Sequence, residues 1–180
     1  MIVVMMGVSG SGKTEVGSQL ARKLGWLFYD GDDYHPYSNK EKMASGCPLT
    51  DEDRLPWIEI LHNLLKSKKA DGQNVVLACS ALKKAYREGL VAGTKPCSPD
   101  TPTQEHLRSD IIFVYLQGSK ELISERMEKR KGHYMPVELL QSQFDALEPP
   151  AAPEQFLKVN VEKDILQIVS EIQEALEGRI

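Results

Sequence analysis

Five short apolar runs divide the chain, and between them hydrophobic residues return at helical spacing. Ile2-Val3-Val4-Met5-Met6, Trp26-Leu27-Phe28-Tyr29, Val75-Val76-Leu77-Ala78-Cys79, Ile111-Ile112-Phe113-Val114-Tyr115-Leu116 and Phe156-Leu157-Lys158-Val159-Asn160-Val161 read as strands. Val16, Leu20 and Leu24 form one helical stripe. Ile58, Leu61, Leu64 and Leu65 form another behind Thr50-Asp51-Glu52-Asp53, and Ile165, Ile168, Val169, Ile172 and Leu176 form a closing one. Ser38-x-x-Glu41 is a capping-box pattern that predicts a short helix through Met43. Further helices are expected from Ser80-Ala81-Leu82 onward and from about Lys120 to Lys129. Continuous apolar strands alternating with amphipathic helices predict an α/β fold: a five-stranded parallel sheet covered by helices on both faces. Residues 93–109 are polar and contain prolines, and read as a surface insertion.

At 180 residues the chain fits one domain, spanning 1–180. A net charge of −4 provides no basic field for extended nucleic-acid binding. No apolar run approaches the ~20 residues a membrane span needs, and the N-terminus enters the first strand without a leader pattern. Cys47, Cys79 and Cys97 are odd in number and widely spaced. They fit neither a disulfide framework nor a zinc site, so a reducing cytoplasm is the expected compartment.

Chemistry concentrates where strands end. Gly7-Val8-Ser9-Gly10-Ser11-Gly12-Lys13-Thr14 spells G-x-x-x-x-G-K-[ST] directly after the first strand. Its glycines let successive N–H groups turn inward around phosphate oxygens, and a helix N-terminus adds partial positive charge. Lys13 can reach the terminal phosphates, and the Thr14 hydroxyl can ligate Mg²⁺. Ligands in such sheets gather at strand carboxyl ends. There the second strand places Asp30, Asp32 and Asp33, suited to holding a metal-bound water and taking a hydroxyl proton, or else to capping the next helix. His35 reads either as a structural histidine or as a substrate donor. Lys83, Lys84 and Arg87 follow the third strand, as a solvated basic face or as substrate-binding cations. Arg54 reads as an ion-paired residue or a substrate contact. Arg126 and Arg130, four apart and ahead of His133-Tyr134-Met135-Pro136, suit a lid that excludes water and stabilises transferred charge.

The stretches GVSGSGKT, FYDGDDYHP, LTDEDRLPW, ACSALKKAYRE and GHYMPVELLQSQFDALEPP together resemble the gluconokinase family of P-loop sugar-acid kinases, from Val3 to about Val161. The resemblance implies a P-loop NTPase fold of the nucleoside-monophosphate-kinase type. Its substrate-binding helical segment would cover about 36–72 and its lid about 126–145, with 93–109 outside every matched motif. It further implies ATP-dependent, Mg²⁺-supported phosphorylation of D-gluconate at its 6-hydroxyl. In parallel with shikimate kinases, Asp30 would organise the Mg²⁺ shell and Asp32 would orient or deprotonate the attacking hydroxyl, with Asp33 beside it. Arg54, Arg87 and Lys83 or Lys84 would meet the gluconate carboxylate and hydroxyls. Arg126 and Arg130 would serve ATP, and His133 would meet substrate on closure. A homodimer is a family-level expectation. Two other readings stand beside this one: a kinase for another small acceptor, such as shikimate or a nucleoside monophosphate, and a nucleotide-binding switch. The only Asn-Lys, in Asn39-Lys40-Glu41-Lys42, lacks the aspartate of a guanine-reading tetrad, and no D-x-x-G follows the third strand.

Overall fold

The computed structural model describes residues 1–94, 108–129 and 137–178. Strands β1 (Ile2–Met6), β2 (Leu27–Asp30), β3 (Val75–Ala78), β4 (Ile111–Gln117) and β5 (Phe156–Asn160) form one parallel sheet in the order β2-β3-β1-β4-β5. Every residue of β1 is buried, as expected of a central strand covered on both sides. The alternation of its side chains divides the core into two layers. Val3 and Met5 join Val16, Leu20, Val114, Ile168 and Ile172 on one face, while Ile2, Val4 and Met6 join Trp57, Leu61, Leu77 and Leu90 on the other. Each such fully buried aliphatic side chain contributes roughly 1.5–3 kcal/mol relative to exposure.

The helices bounded within the described residues are α1 (Lys13–Leu24), α2 (Tyr37–Ala44), α3 (Asp51–Ala70), α4 (Lys84–Ala92), α5 (Lys120–Glu128), α6 (Val137–Ala146) and α7 (Ile165–Glu177). A capping box fixes the start of α3: Thr50 Oγ1 accepts the Asp53 N–H at 3.2 Å, and Asp53 Oδ2 accepts the Thr50 N–H at 2.7 Å. Lys42 donates to the same carboxylate at 2.5 Å, tying α2 to α3. That contact, followed by the Thr50 N–H bond, lowers the Asp53 pKa to about 2.

Three local expectations need correction. The Ser38–Glu41 capping box does not form, because α2 begins at Tyr37 behind Pro36 and has no side-chain cap. β2 starts one residue late, since Trp26 turns its N–H back to Ala21 O at 2.9 Å. The helix after β3 begins at Lys84, not Ser80. Ala81 sits at φ 43, a left-handed conformation no helix accepts, and Ser80 O takes the Gly7 N–H at 3.2 Å. Of the expected insertion, 95–107 lies outside the described residues. Thr94, before it, is fastened to Glu59 Oε2 through its N–H at 2.8 Å and its hydroxyl at 2.6 Å.

Candidate active site

The loop between β1 and α1 lies against the carboxyl ends of β3 and β4. Gly7 holds φ 143, and a Cβ there would stand 2.9 Å from both Leu116 O and Ser11 Oγ. At Gly10, φ 81, a Cβ would meet Met127 Cγ of α5 at 2.7 Å. The loop path therefore needs glycine twice, once for the sheet and once for the helix above it. α1 then starts from Gly12 with no capping side chain, so its amino end faces the loop. Lys13 curls back across the loop, donating from Nζ to Val8 O at 3.0 Å. Among the described residues, Ser11 Oγ is the buried side-chain oxygen without a hydrogen-bond partner, and it sits inside this turn.

Asp30 joins the loop to the acidic strand end. Its Oδ2 accepts the Thr14 hydroxyl at 2.7 Å, and its Oδ1 accepts the Asp32 N–H at 3.1 Å, opening a 3₁₀ turn over Gly31–Tyr34. Trp57 of α3 clamps that turn from below, donating its indole N–H to Gly31 O at 2.7 Å. The Asp32 pKa is raised, first by desolvation and then by Asp30, with Lys13 opposing and Asp33 adding. The side chain is nevertheless 85% exposed, so water still screens it and the direction of the shift is what matters. Asp33 is exposed beside it, and its carbonyl accepts from Lys40 Nζ at 3.0 Å.

His35 is buried, its ring stacked on Trp57 at 4.1 Å between centroids. Asn39 Nδ2 donates to Asp53 O at 2.8 Å and stands 3.3 Å from His35 Nδ1. Since an amide NH₂ only donates, Nδ1 is the acceptor and the ring proton sits on Nε2. That nitrogen is 3.9 Å from Asp32 Oδ1, too long for a hydrogen bond. Desolvation, with Arg54 and Lys40 nearby, lowers the His35 pKa to about 4, so the ring is neutral at physiological pH. His35 therefore holds a structural position, stacked on Trp57 and close to Asp32.

The starts of α3 and α4 meet in a second polar cluster. Lys83 Nζ donates to both Asp51 oxygens at 2.8 and 2.7 Å, and the Tyr86 hydroxyl donates to Asp51 Oδ1. Those two bonds, Lys83 first, depress the Asp51 pKa, and the Asp51 bond raises that of Lys83. Arg54 lies 5.7 Å over the Tyr86 ring and Lys83 5.8 Å from it. Arg54 Nη1 also donates to Leu49 O, and to Thr50 O at 3.3 Å. Arg54 and Lys83 are thus brought together over Tyr86.

Arg87 and Lys84 are not. Arg87 is 1% exposed and forms a two-bond pair with Glu154, at 2.6 and 3.1 Å. Its remaining nitrogen donates to Ala81 O, Leu82 O and Glu148 O. Burial alone would push the Glu154 carboxyl up; the Arg87 bond carries it below its ordinary value instead. Arg87 therefore takes a structural job in place of the substrate-binding one expected. Lys84 pairs with Glu88 at 3.8 Å on the outer face of α4, and both line a cavity with Ile111 and Phe113 in the first half of β4, far from the phosphate loop's end of the sheet.

Arg126 of α5 donates to Val161 O at 2.5 Å, one residue before the methionine that covers Gly10. Arg130 and His133 lie outside the described residues, as do positions 130–136 of the lid expected at about 126–145. Sequence reasoning did not single out Asp51, Tyr86, Asn39, Trp57 or Gln143. Asp51, Trp57, Tyr86 and Gln143 fall inside the quoted stretches, so the signal was present without a partner to interpret it.

A family model described as an AAA domain matches residues 2–150. A probable gluconokinase of Xenopus tropicalis is 60% identical over 174 residues, covering 96% of this chain and 92% of its own. The thermosensitive gluconokinase of Escherichia coli K12 is 43% identical, covering 96% and 86%. The crystal structure of a gluconokinase from Sinorhizobium meliloti 1021 superposes with a TM-score of 0.79 at 37% identity, covering 98% of this chain and 95% of that one.

Proposed function

The chain belongs to the gluconokinase family, and on that footing we propose that it transfers the terminal phosphoryl group of ATP to the 6-hydroxyl of D-gluconate, giving 6-phospho-D-gluconate and ADP. The observation that carries the mechanism is the continuous link Thr14–Asp30–Asp32, which joins the phosphate loop to a carboxylate of raised pKa.

The residues present fit a divalent cation of the Mg²⁺ type. Thr14 Oγ1 and Asp30 Oδ2 are hard oxygen donors 2.7 Å apart at the helix N-terminus, and the described residues hold no cluster of three or more His, Cys, Asp or Glu. Mg²⁺ usually keeps several waters and phosphate oxygens and takes few protein ligands, which suits this sparse set. When bound, the ion would neutralise charge developing on the phosphates. Lys13 and the loop N–H groups hold the phosphates and stabilise the same charge. Asp32 orients the 6-hydroxyl and accepts its proton as the new O–P bond forms and the bond to the ADP oxygen breaks. Arg54 and Lys83 hold the gluconate carboxylate and hydroxyls, and Asp33 and His35 border them. Arg126 turns from Val161 O to the nucleotide, joined by Arg130, while His133 meets substrate when the segment through 145 closes. α2 and α3, within 36–72, form the acceptor wall of this single domain.

We further infer a cytoplasmic enzyme acting as a homodimer. Cys79 is buried and its thiol is pushed up to about 12, chiefly by desolvation, so it is inert to oxidation. No described helix is long and apolar enough to cross a membrane. A coupled ADP-release assay with gluconate, related sugar acids, shikimate and nucleoside monophosphates tests the reading. Turnover is expected with gluconate; a preference for shikimate or a nucleotide would overturn it.

A further inference from the structure

The stretch LLQSQFDALEPP, which covers the end of the proposed lid segment and the residues after it, makes a specific contact to the phosphate loop that the catalytic account does not use. Gln143, on α6, meets Ser9 at two points. Its Oε1 accepts the Ser9 N–H at 2.7 Å, and its Nε2 donates to Ser9 Oγ at 3.0 Å. The residues are 134 apart in sequence, so the contact is purely tertiary. A few residues on, Glu148 takes the Lys84 N–H at 2.6 Å through its carboxylate and the Arg87 guanidinium at 2.9 Å through its carbonyl, and its N–H donates to Leu82 O at 2.8 Å. One end of this stretch therefore holds the donor loop, and the other holds the segment leading into α4.

The chemistry at Ser9 is the informative part. A backbone N–H of a phosphate loop is built to serve an anionic oxygen, and here a neutral amide oxygen accepts it at a distance typical of a good hydrogen bond. A phosphate oxygen taking that N–H must displace Gln143, because the two acceptors compete for one proton. We propose that Gln143 is a positioning residue that works as a latch on the phosphate loop: its amide competes with the terminal phosphate for Ser9, so that nucleotide entry releases α6 from the loop. Occupancy of the donor side is thereby transmitted to α6, at the end of the proposed lid segment. This rests on the reading of the loop as an ATP site.

Titration of the full chain with Mg²⁺·ATP by calorimetry, without gluconate, tests it. Wild-type binding must be seen first; its absence would fail the functional reading itself, apart from the latch. Gln143→Ala removes the competitor and is expected to bind ATP about five-fold tighter, the scale of one net hydrogen bond. Gln143→Glu, nearly the same shape, keeps the acceptor and adds a negative charge against the phosphates, and is expected to bind at least ~10-fold weaker. Thermal melts of both variants establish that they are folded, and Gln143→Asn, too short to reach Ser9, substitutes for the alanine variant if that one is not. Opposite signs for the two substitutions support the latch, since a merely structural glutamine would not produce them. Unchanged or weaker binding in the shortened variant, or wild-type affinity in Gln143→Glu, overturns it.

Discussion

Asp32 and His35 show how two neighbouring titratable groups can be pushed in opposite chemical directions. Desolvation and Asp30 raise the Asp32 pKa, so it loses its proton later than an ordinary aspartate as pH rises. If it accepts the substrate proton, kcat will fall on the acid side with a midpoint above the ordinary aspartate value near 3.8, and Asp33→Asn will move that midpoint down by removing a like charge. A kcat profile flat down to pH 4 would contradict this. His35 acts on stability. Its imidazole titrates near 6.5 in the unfolded chain and at about 4 in the fold, so between these values protons favour the unfolded state. Stability is accordingly lost as pH falls from 6.5 towards 4 and is fully present above 6.5. The amount reaches on the order of 3 kcal/mol. Thermal melts at pH 7 and 4.5 read it directly. His35→Phe, which keeps a ring against Trp57, is expected to show a smaller drop between them; an equal drop would assign the effect elsewhere.

Elements position these residues, and the strongest test at this scale concerns Arg87. It crosses from α4 to Glu154 just ahead of β5, and its donors also hold Ala81, Leu82 and Glu148. Truncating one member of a buried pair leaves the other charge uncompensated, typically at about 3–5 kcal/mol. Arg87→Met is therefore expected to lower the melting temperature strongly, while the KM for gluconate in the folded fraction stays near wild type. A stable variant with a greatly raised KM would restore Arg87 to the substrate. At the loop, Gly10→Ala places a methyl group 2.7 Å from Met127 Cγ at a φ alanine resists. Weaker nucleotide binding is expected, with partial recovery in the double variant that also carries Met127→Ala. No recovery would show that backbone strain alone is responsible.

These elements were unequally legible in the sequence. Apolar runs located β1, β3 and β4 because burial on both faces leaves a continuous local signal, while the edge strands β2 and β5, though largely not buried, are still marked by short apolar runs. The start of α4 was misplaced because Ala81 has no composition cue for its left-handed turn; the constraint comes from Gly7, far away in sequence. The ion pair of Arg87 is invisible in the sequence for the same reason. The residue's spacing from Lys83 is what a basic face would show, and only the fold reveals Glu154 as its partner, 67 residues on.

At the scale of the whole molecule, the strand order explains how the halves of the site meet. β1 lies between β3 and β4, so its loop emerges between two strand ends, and β2 on the far side of β3 delivers Asp30 and Asp32 to the same edge. The donor half was readable as spacing within eight residues. The proposed acceptor half was less so, because Asp51 is 32 and 35 residues from Lys83 and Tyr86 and joins them only once α3 and α4 pack. The proposed transfer at this edge runs directly from the nucleotide in the loop to a gluconate hydroxyl, with Asp32 taking the hydroxyl's proton. Single-turnover transfer from γ-labelled ATP, in wild type and Asp32→Asn, tests it most directly. The account predicts label in 6-phosphogluconate with the wild type and transfer slower by about 10²-fold or more in the variant, with both substrates still bound. Label released only as inorganic phosphate, or an Asp32→Asn variant that transfers at the wild-type rate, would contradict it.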